Sequence, residues 1–210
     1  MWSIIVAAGW PIWPLIFTSV IGLAIIFERI FMLKKTQVAP KGLTEDVVRT
    51  LPQFKDQGNL SRLSTHSALG SVLAEGLRAH FRSNDITEAM EAKGLEIRAT
   101  LEKHLDLLGL IATAAPLMGL LGTVIGMIEI FAVQGQTTQT PEALASGIAV
   151  ALYNTAFGLI VAIPALIAHK LFKVKITSLL HSLEVAVRPL EVALKNARRT
   201  AQARPTTGRS

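Results

Sequence analysis

Two threonines, Thr123 and Thr155, each lie near the middle of a long apolar segment rich in glycine and alanine. The first segment reads LGLIATAAPLMGLLGTVIGMIEIF and the second reads ALASGIAVALYNTAFGLIVAIPALIAHKLF. Helices this apolar need lipid around them, and small residues let neighbouring helices approach closely. A hydroxyl at the middle of each helix indicates a polar pathway enclosed by protein. The alternative is tight packing, in which each hydroxyl donates to a carbonyl of its own preceding turn.

Small residues recur at helical spacing around both threonines, so each helix has one face with almost no side-chain volume. We predict that this face serves close helix packing or lines a pore. On the first helix it contains Gly119, Gly122 and Gly126, and on the second it contains Ala151, Gly158 and Ala162.

Four further polar residues have two interpretations each. Asn154 is expected either at a seam between subunits or as a packing amide against a neighbouring helix. Glu129 lies near the outer end of its helix, as an interfacial carboxylate or at an ion entrance. Glu28 and Arg29 follow the first apolar run, and we expect them to reach the cytoplasmic interface or to pair with a neighbouring subunit.

Three runs of the sequence contain no Asp, Glu, Lys or Arg: residues 1–27, 107–128 and 143–168. Each run is long enough for the roughly 20 residues that cross a hydrocarbon core. We therefore predict three transmembrane spans, at about 11–33, 107–133 and 143–169. The first run lacks a positively charged start and a small-residue cleavage site, which favours a retained helix over a signal peptide.

The distribution of Lys and Arg predicts the orientation. The loop 34–106 holds eleven of them and the tail 170–210 holds nine, whereas the stretch before the first span and the loop 134–142 hold none. The positive-inside rule then places the loop 34–106 and the tail in the cytoplasm, and the N-terminus and the loop 134–142 outside. His104 and His169 fall at the cytoplasmic ends of the spans and are expected to be anchors.

The fold class predicted is an all-α membrane protein whose second and third spans extend into the cytoplasm. From Asp85, which is expected to cap a helix, no proline precedes Leu108, so we expect one long rod leading into the second span. The predicted division is 1–35 for the outer N-terminus and first span, 36–104 for a cytoplasmic helical region, 105–133 for the second span, 134–142 for an outer loop, 143–169 for the third span, 170–195 for a cytoplasmic helix extension and 196–210 for a basic disordered tail.

The composition argues against several functions. The net charge of +6 arises beside the spans and in the tail, which fits topology and contact with anionic lipid better than nucleic-acid binding. No nucleophile–base pair or set of metal ligands lies at membrane depth, so we expect neither an enzyme nor a metal or other cofactor. No charged residue lies at the centre of any span. If the chain conducts protons, the central carboxylate must therefore come from the inserted helix of another polypeptide.

The segments TAAPLMGLLGTVIGM and GIAVALYNTAFGLIVAIPAL resemble the two signature helices of the MotA/TolQ/ExbB proton-channel family, most closely its ExbB-type biopolymer transport proteins. The FERIFMLKK end of the first span is also similar, and the likeness covers about residues 10–190. The resemblance implies a ring, expected to be a pentamer, in the bacterial inner membrane with a periplasmic N-terminus and a cytoplasmic C-terminus. It implies that Thr123 and Thr155 face an ion pathway.

The same resemblance implies partners. An ExbD-type single-span protein would insert its helix, with an aspartate that takes up and releases protons, and a TonB-type protein would pass the energy to outer-membrane transport. One residue departs from the family pattern: many ExbB-type chains have a glutamate five residues before the second threonine, and here that residue is Val150. A TolQ-like role in envelope constriction and a non-conducting scaffold for a single-span partner stay open as alternatives.

Overall fold

The computed structural model describes residues 10–33, 38–40, 42–51, 54, 56–134 and 141–202, in which the regular elements are all helical. They are α1 (Ile12–Met32), α2 (Leu43–Arg49), α3 (Gln57–His66), α4 (Ala68–Phe81), α5 (Ile86–Glu102), α6 (Leu105–Gln134) and α7 (Pro141–Gln202). Three stretches, in α1, α6 and α7, are long and apolar enough to cross a membrane, which confirms the three predicted spans. The chain forms two compact units: the membrane unit, from the described parts of 1–30 and 104–173, and the polar unit, from those of 31–103 and 174–210.

Helix α1 has one buried and one exposed face. It begins after a turn at Trp10 and Pro11, and Pro14 is tolerated in its first turn, where backbone amides have no partner within the helix. Ile12, Leu15, Gly22, Ile25 and Arg29 are buried at spacings of three, four and seven residues. The bulky residues on the opposite side are exposed, as expected of a helix that faces lipid: Phe17, Val20, Leu23, Phe27 and Ile30.

The predicted single rod leading into the second span is wrong, because α5 ends at Glu102 and α6 begins at Leu105. His104 lies between them with a φ of +61°, a left-handed backbone conformation that histidine adopts more readily than most residues. Its Nδ1 is 3.1 Å from Glu28 Oε2 on α1. Neither proline nor glycine marks this interruption in the sequence, and the contact that accompanies it comes from a distant part of the chain.

Helix α7 is longer than the sequence predicted. Its 62 residues continue to Gln202, so the prediction of a disordered tail from residue 196 is wrong for residues 196–202. The reason is a tertiary contact, since the Arg198 guanidinium donates to the backbone carbonyls of Asn84, at 2.9 Å, and of Ser83. The rest of the predicted tail, the first nine residues and residues 135–140 of the outer loop lie outside the described residues.

The polar unit is built around aliphatic side chains. Ser67 caps α4 by accepting from the Gly70 amide at 2.9 Å, and Asp85 caps α5 by accepting from the amides of Thr87 and Glu88, which confirms the predicted cap at Asp85. The buried residues of this core recur on α4, on α5 and on the part of α7 after residue 173: Leu69, Val72, Leu73, Leu77, Met90, Ile97, Ile176, Leu179, Leu183, Leu190 and Leu194.

Candidate functional site

Helices α6 and α7 meet backbone to backbone in the membrane unit. A Cβ atom placed on Gly158 would lie 2.6 Å from the carbonyl oxygen of Ala115, and one on Gly119 would lie 2.7 Å from the carbonyl oxygen of Asn154. Both distances are shorter than carbon and oxygen atoms tolerate without a shift, so only glycine fits at either position unless the backbones separate. We call this contact the glycine seam; it contains Ala115, Gly119, Gly122 and Gly126 of α6 with Ala151, Asn154, Thr155 and Gly158 of α7.

Asn154 lies inside the glycine seam of its own subunit. Its side chain is 2 % exposed, and a Cβ on Gly122 would lie 2.8 Å from the Asn154 Cβ. One turn further out, a Cβ on Gly126 would lie 3.1 Å from the Cβ of Ala151, which is also buried. Of the two interpretations of Asn154, this geometry supports the packing amide.

Thr155 lies at the edge of the same seam. A Cβ on Gly119 would be 3.0 Å from the Thr155 Cα, and the Thr155 side chain is half-buried. Ala162, predicted to pack or line a pore, is buried two turns further along α7 in a cluster with Leu15 of α1 and Ala115 of α6. Within one subunit, the small-residue face of α7 is therefore occupied by α6 and, at Ala162, by α1.

The Thr123 hydroxyl makes a hydrogen bond within its own helix. Its Oγ1 donates to the Leu120 carbonyl at 2.7 Å, the local bond that the packing interpretation expects of a membrane threonine. The half-buried side chain borders a surface groove on α6 with Val124, Met127 and Phe131. The hydroxyl keeps its oxygen lone pairs available as acceptors on this groove, because a hydroxyl that donates one bond can still accept two.

Charged groups of the membrane unit lie towards the ends of the helices. Glu129 is exposed near the outer end of α6 and is not brought to the glycine seam. At the other end, Arg29 is only 1 % exposed and its Nη2 lies 3.3 Å from Glu28 Oε1. Since Glu28 Oε2 also contacts the ring of His104, this carboxylate bridges α1 to the residue that precedes α6. The sequence predicted His104 as an anchor and did not predict its contact with Glu28.

His169 also has a defined contact that the sequence interpretation did not include. A Cβ on Gly109 of α6 would lie 3.1 Å from the Nε2 atom of His169, and the imidazole is half-buried. The sequence signal for this contact was weak. It consisted of Gly109 near one end of the second span and His169 near the same end of the third span. In the described residues no group of three His, Asp or Glu side chains is placed to hold a metal ion.

Comparison with known proteins identifies the family. Residues 64–185 match the MotA/TolQ/ExbB proton channel family. The chain is 34 % identical over 165 residues to the biopolymer transport protein exbB1 of Vibrio cholerae, covering 75 % of this chain and 72 % of that protein. It is 41 % identical over 76 residues to the biopolymer transport protein ExbB of Aquifex aeolicus, covering 35 % and 51 %. It is 37 % identical over 81 residues to the Tol-Pal system protein TolQ of Haemophilus influenzae, covering 38 % and 36 %.

Proposed function

The chain belongs to the MotA/TolQ/ExbB proton channel family, and from that premise we propose that it is the multi-pass subunit of an inner-membrane motor driven by the proton-motive force. Five copies form a ring, with the N-terminus in the periplasm and the C-terminus in the cytoplasm. The ring encloses the helix of an ExbD-type partner. A TonB-type protein then passes the energy to transport across the outer membrane.

The observation that supports this proposal is the chemistry of the glycine seam. Two apolar helices are in backbone contact there, with a threonine hydroxyl at the edge, and residues 107–128 and 145–168 contain no Asp, Glu, Lys or Arg. A proton crosses a membrane on titratable groups, which this chain does not supply at that depth. The carboxylate that carries it belongs to the partner helix, and Thr123 and Thr155 offer it hydroxyl oxygens.

The available energy limits how the motor works. One elementary charge crossing 100 mV releases about 2.3 kcal/mol, which biases a conformational step but does not by itself break a strong interface. Each useful event therefore uses several protons, or the partner helix moves over a low barrier.

Valine substitutions test the assigned pathway. Valine matches threonine in shape but removes the hydroxyl, so Thr155→Val and Thr123→Val are expected to fold yet lose most coupled proton flux in membrane vesicles that contain the native complex. Thr113→Val is the matched control, since Thr113 lies on α6, is exposed and donates to the carbonyls of Gly109 and Leu110 in its own helix. Wild-type proton flux in both Thr155→Val and Thr123→Val would contradict the assignment of these residues to the pathway.

A non-conducting scaffold is the alternative to an ion channel. A ring that encloses a moving partner helix would equally hold a fixed one. Proton flux measured in vesicles with this chain alone, and then with its single-span partner, separates the two. Flux that requires the partner supports the channel, whereas a stable complex without flux supports the scaffold.

A TolQ-like role is the second candidate, and the match to the Haemophilus influenzae TolQ protein favours it. That match covers 81 residues, whereas the match to the Vibrio cholerae protein covers 165, so we give the ExbB-like role precedence. Deleting the chain from its host distinguishes them. Loss of energised uptake across the outer membrane with normal division supports the ExbB-like role, and defective envelope constriction with normal uptake supports the TolQ-like role.

A further inference from the structure

His169 continues the buried face of α7 that begins beside Thr155. Fourteen residues separate the two, about 21 Å along a helix, and they project within roughly 40° of each other. Between them Gly158, Ala162 and Ala165 are buried against α6 and α1, so contact with water is made at the exposed parts of the half-buried Thr155 and His169. The imidazole is thus the next polar group on the face that holds Thr155, at the end of the span opposite the 134–142 loop.

The contact with α6 fixes where the imidazole lies. A Cβ on Gly109 would be 3.1 Å from Nε2, 3.3 Å from Cδ2 and 3.5 Å from Cε1 of His169. One edge of the ring therefore faces the α6 backbone at a residue without a side chain. Because Gly109 has no side chain, it leaves space for a half-buried imidazole between two helices that are otherwise close together.

No other imidazole, carboxylate or amine lies between Thr155 and His169 on α7, or in the facing part of α6. Residues 107–128 and 145–168 contain no Asp, Glu, His, Lys or Arg, so His169 is the first such group along this face on leaving Thr155. Imidazole is the side chain that exchanges protons most readily near neutral pH. Building on the function proposed above, we infer that His169 is a proton-transfer residue at the cytoplasmic end of the pathway.

The transfer has two balanced steps. In the first, an O–H bond of a hydronium ion beside the ring breaks as an N–H bond forms on neutral imidazole. The proton reaches that position through water from the partner's carboxylic acid, because Thr155, beside which that acid is placed, is about 21 Å away along α7. In the second, an N–H bond of the imidazolium breaks and the proton passes to cytoplasmic water, which restores the neutral ring. The charged residues nearest to His169 in sequence on α7 are Lys170 and Lys173, and on α6 Asp106 lies three residues before Gly109. On α1, Glu28 and Arg29 follow Ile25, which packs in one cluster with Ala165 and Ala168 of α7.

Substitution and chemical rescue test the inference in inside-out vesicles from the native host, with each variant replacing the natural chain. His169→Gln keeps a polar side chain of similar reach but cannot carry a proton, and it is expected to lower the proton flux about tenfold or more. His169→Ala is expected to lose flux similarly and to regain it when imidazole is added, but not when pyrazole, a much weaker base of the same shape, is added. His181→Gln is the control, because His181 is an exposed histidine of the same helix.

The outcomes separate this inference from the proposed function. Reduced flux in His169→Gln, with imidazole rescue of His169→Ala and normal amounts of assembled complex, supports proton transfer. Wild-type flux in His169→Gln, while Thr155→Val loses flux, overturns the role of His169 and leaves the proposed function standing. Reduced flux without rescue assigns His169 a packing role against Gly109 and also overturns the inference. No flux in the wild-type complex overturns the proposed function itself.

Discussion

The two units of this chain hold their helices together by different means. In the membrane unit, the atoms nearest to a Cβ on Gly158 are backbone atoms of Ala115 and Gly119. In the polar unit, a Cβ on Gly76 would meet the flexible thioether of Met90 at 2.6 Å. Lipid tails are as apolar as leucine, so helices in a membrane gain by close van der Waals contact and not by burying large side chains. In water, burial of those side chains is the main favourable contribution.

Replacing a glycine is consequently expected to have a different energetic cost in each unit. Along the glycine seam the neighbours of glycine are main-chain atoms that cannot rotate away, whereas Met90 has three side-chain torsions and can change its conformation. One glycine of the polar unit is an exception, since a Cβ on Gly70 would overlap the backbone carbonyl of Leu63. That contact joins two helices separated only by Ser67, so it belongs to a local turn. The following predictions test this difference between the units.

The largest effect is expected from removing a core side chain of the polar unit. Leu73 is 0 % exposed, so Leu73→Ala should lower the free energy of unfolding by about 2–5 kcal/mol through lost burial and a residual cavity. Hydrogen exchange of α4 and α5 in the full-length protein measures the loss. Leu95→Ala, at a side chain that is 66 % exposed, is the control and should change little. Equal effects would mean that side-chain burial does not stabilise this unit.

A matched pair of glycine substitutions compares the units directly. Gly158→Ala forces a Cβ against the Ala115 carbonyl and should cost about 1–3 kcal/mol, the usual range for overpacking. Gly76→Ala should cost less, because Met90 can move, whereas the gain of about 1 kcal/mol in helix propensity of alanine over glycine applies to both substitutions. Thermal unfolding of the full chain in detergent, together with the yield of assembled complex, measures both. A larger loss for Gly76→Ala would contradict the comparison.

Helix capping should have a smaller effect, confined to the polar unit. Asp85 Oδ1 accepts from the amides of Thr87 at 2.8 Å and Glu88 at 3.2 Å, and Asp85→Ala should destabilise α5 by about 1 kcal/mol. Faster hydrogen exchange in the first turn of α5, with unchanged exchange in α6, is the expected result. Asp85→Asn, which retains an accepting oxygen, should behave like the wild type. Unchanged exchange in Asp85→Ala would show that the cap is dispensable.

The smallest effect concerns pH. Hydrogen bonds from Lys195 at 2.7 Å and from Thr87 at 2.8 Å lower the pKa of Glu191 below its ordinary value. The carboxylate therefore stabilises the polar unit fully above the ordinary pKa of glutamate, and this contribution is lost as the pH falls through the lowered value. Thr87→Val should raise the pKa of Glu191 towards its ordinary value, so that the contribution is smaller and its loss is complete at a higher pH. In a Glu191→Gln background, Thr87→Val should leave the acid dependence of unfolding unchanged; a persistent shift would assign it to another group.

Much of the fold follows from local patterns in the sequence. The charge-free runs predicted three spans, and the structure has α1, α6 and α7 at those places, because hydropathy is a property of a continuous segment. Asp85 was predicted as a cap from its position before an amphipathic run, since a cap contacts only the next turn. The small residues around Thr123 and Thr155 were predicted to serve close helix packing or to line a pore, but the residues that they contact were not predicted.

The errors all involve residues far apart in the chain. The interruption at His104 accompanies a contact with Glu28, 76 residues earlier, and the helical end of α7 accompanies a contact of Arg198 with Asn84, 114 residues earlier. No local pattern in the sequence predicts such pairs. His104 has neither glycine nor proline beside it, and the residues around Arg198 are basic, small and polar, as in a disordered tail.

The sequence by itself determined that this chain is helical, that it crosses a membrane three times and that its second and third spans have faces made for close contact, because apolar length and residue size act over neighbouring turns. Only the tertiary structure decided that Asn154 packs on Gly122 inside one subunit, that His169 lies against Gly109 and that Glu28 reaches His104. These pairings depend on the register between helices, which is set by how two whole surfaces fit together.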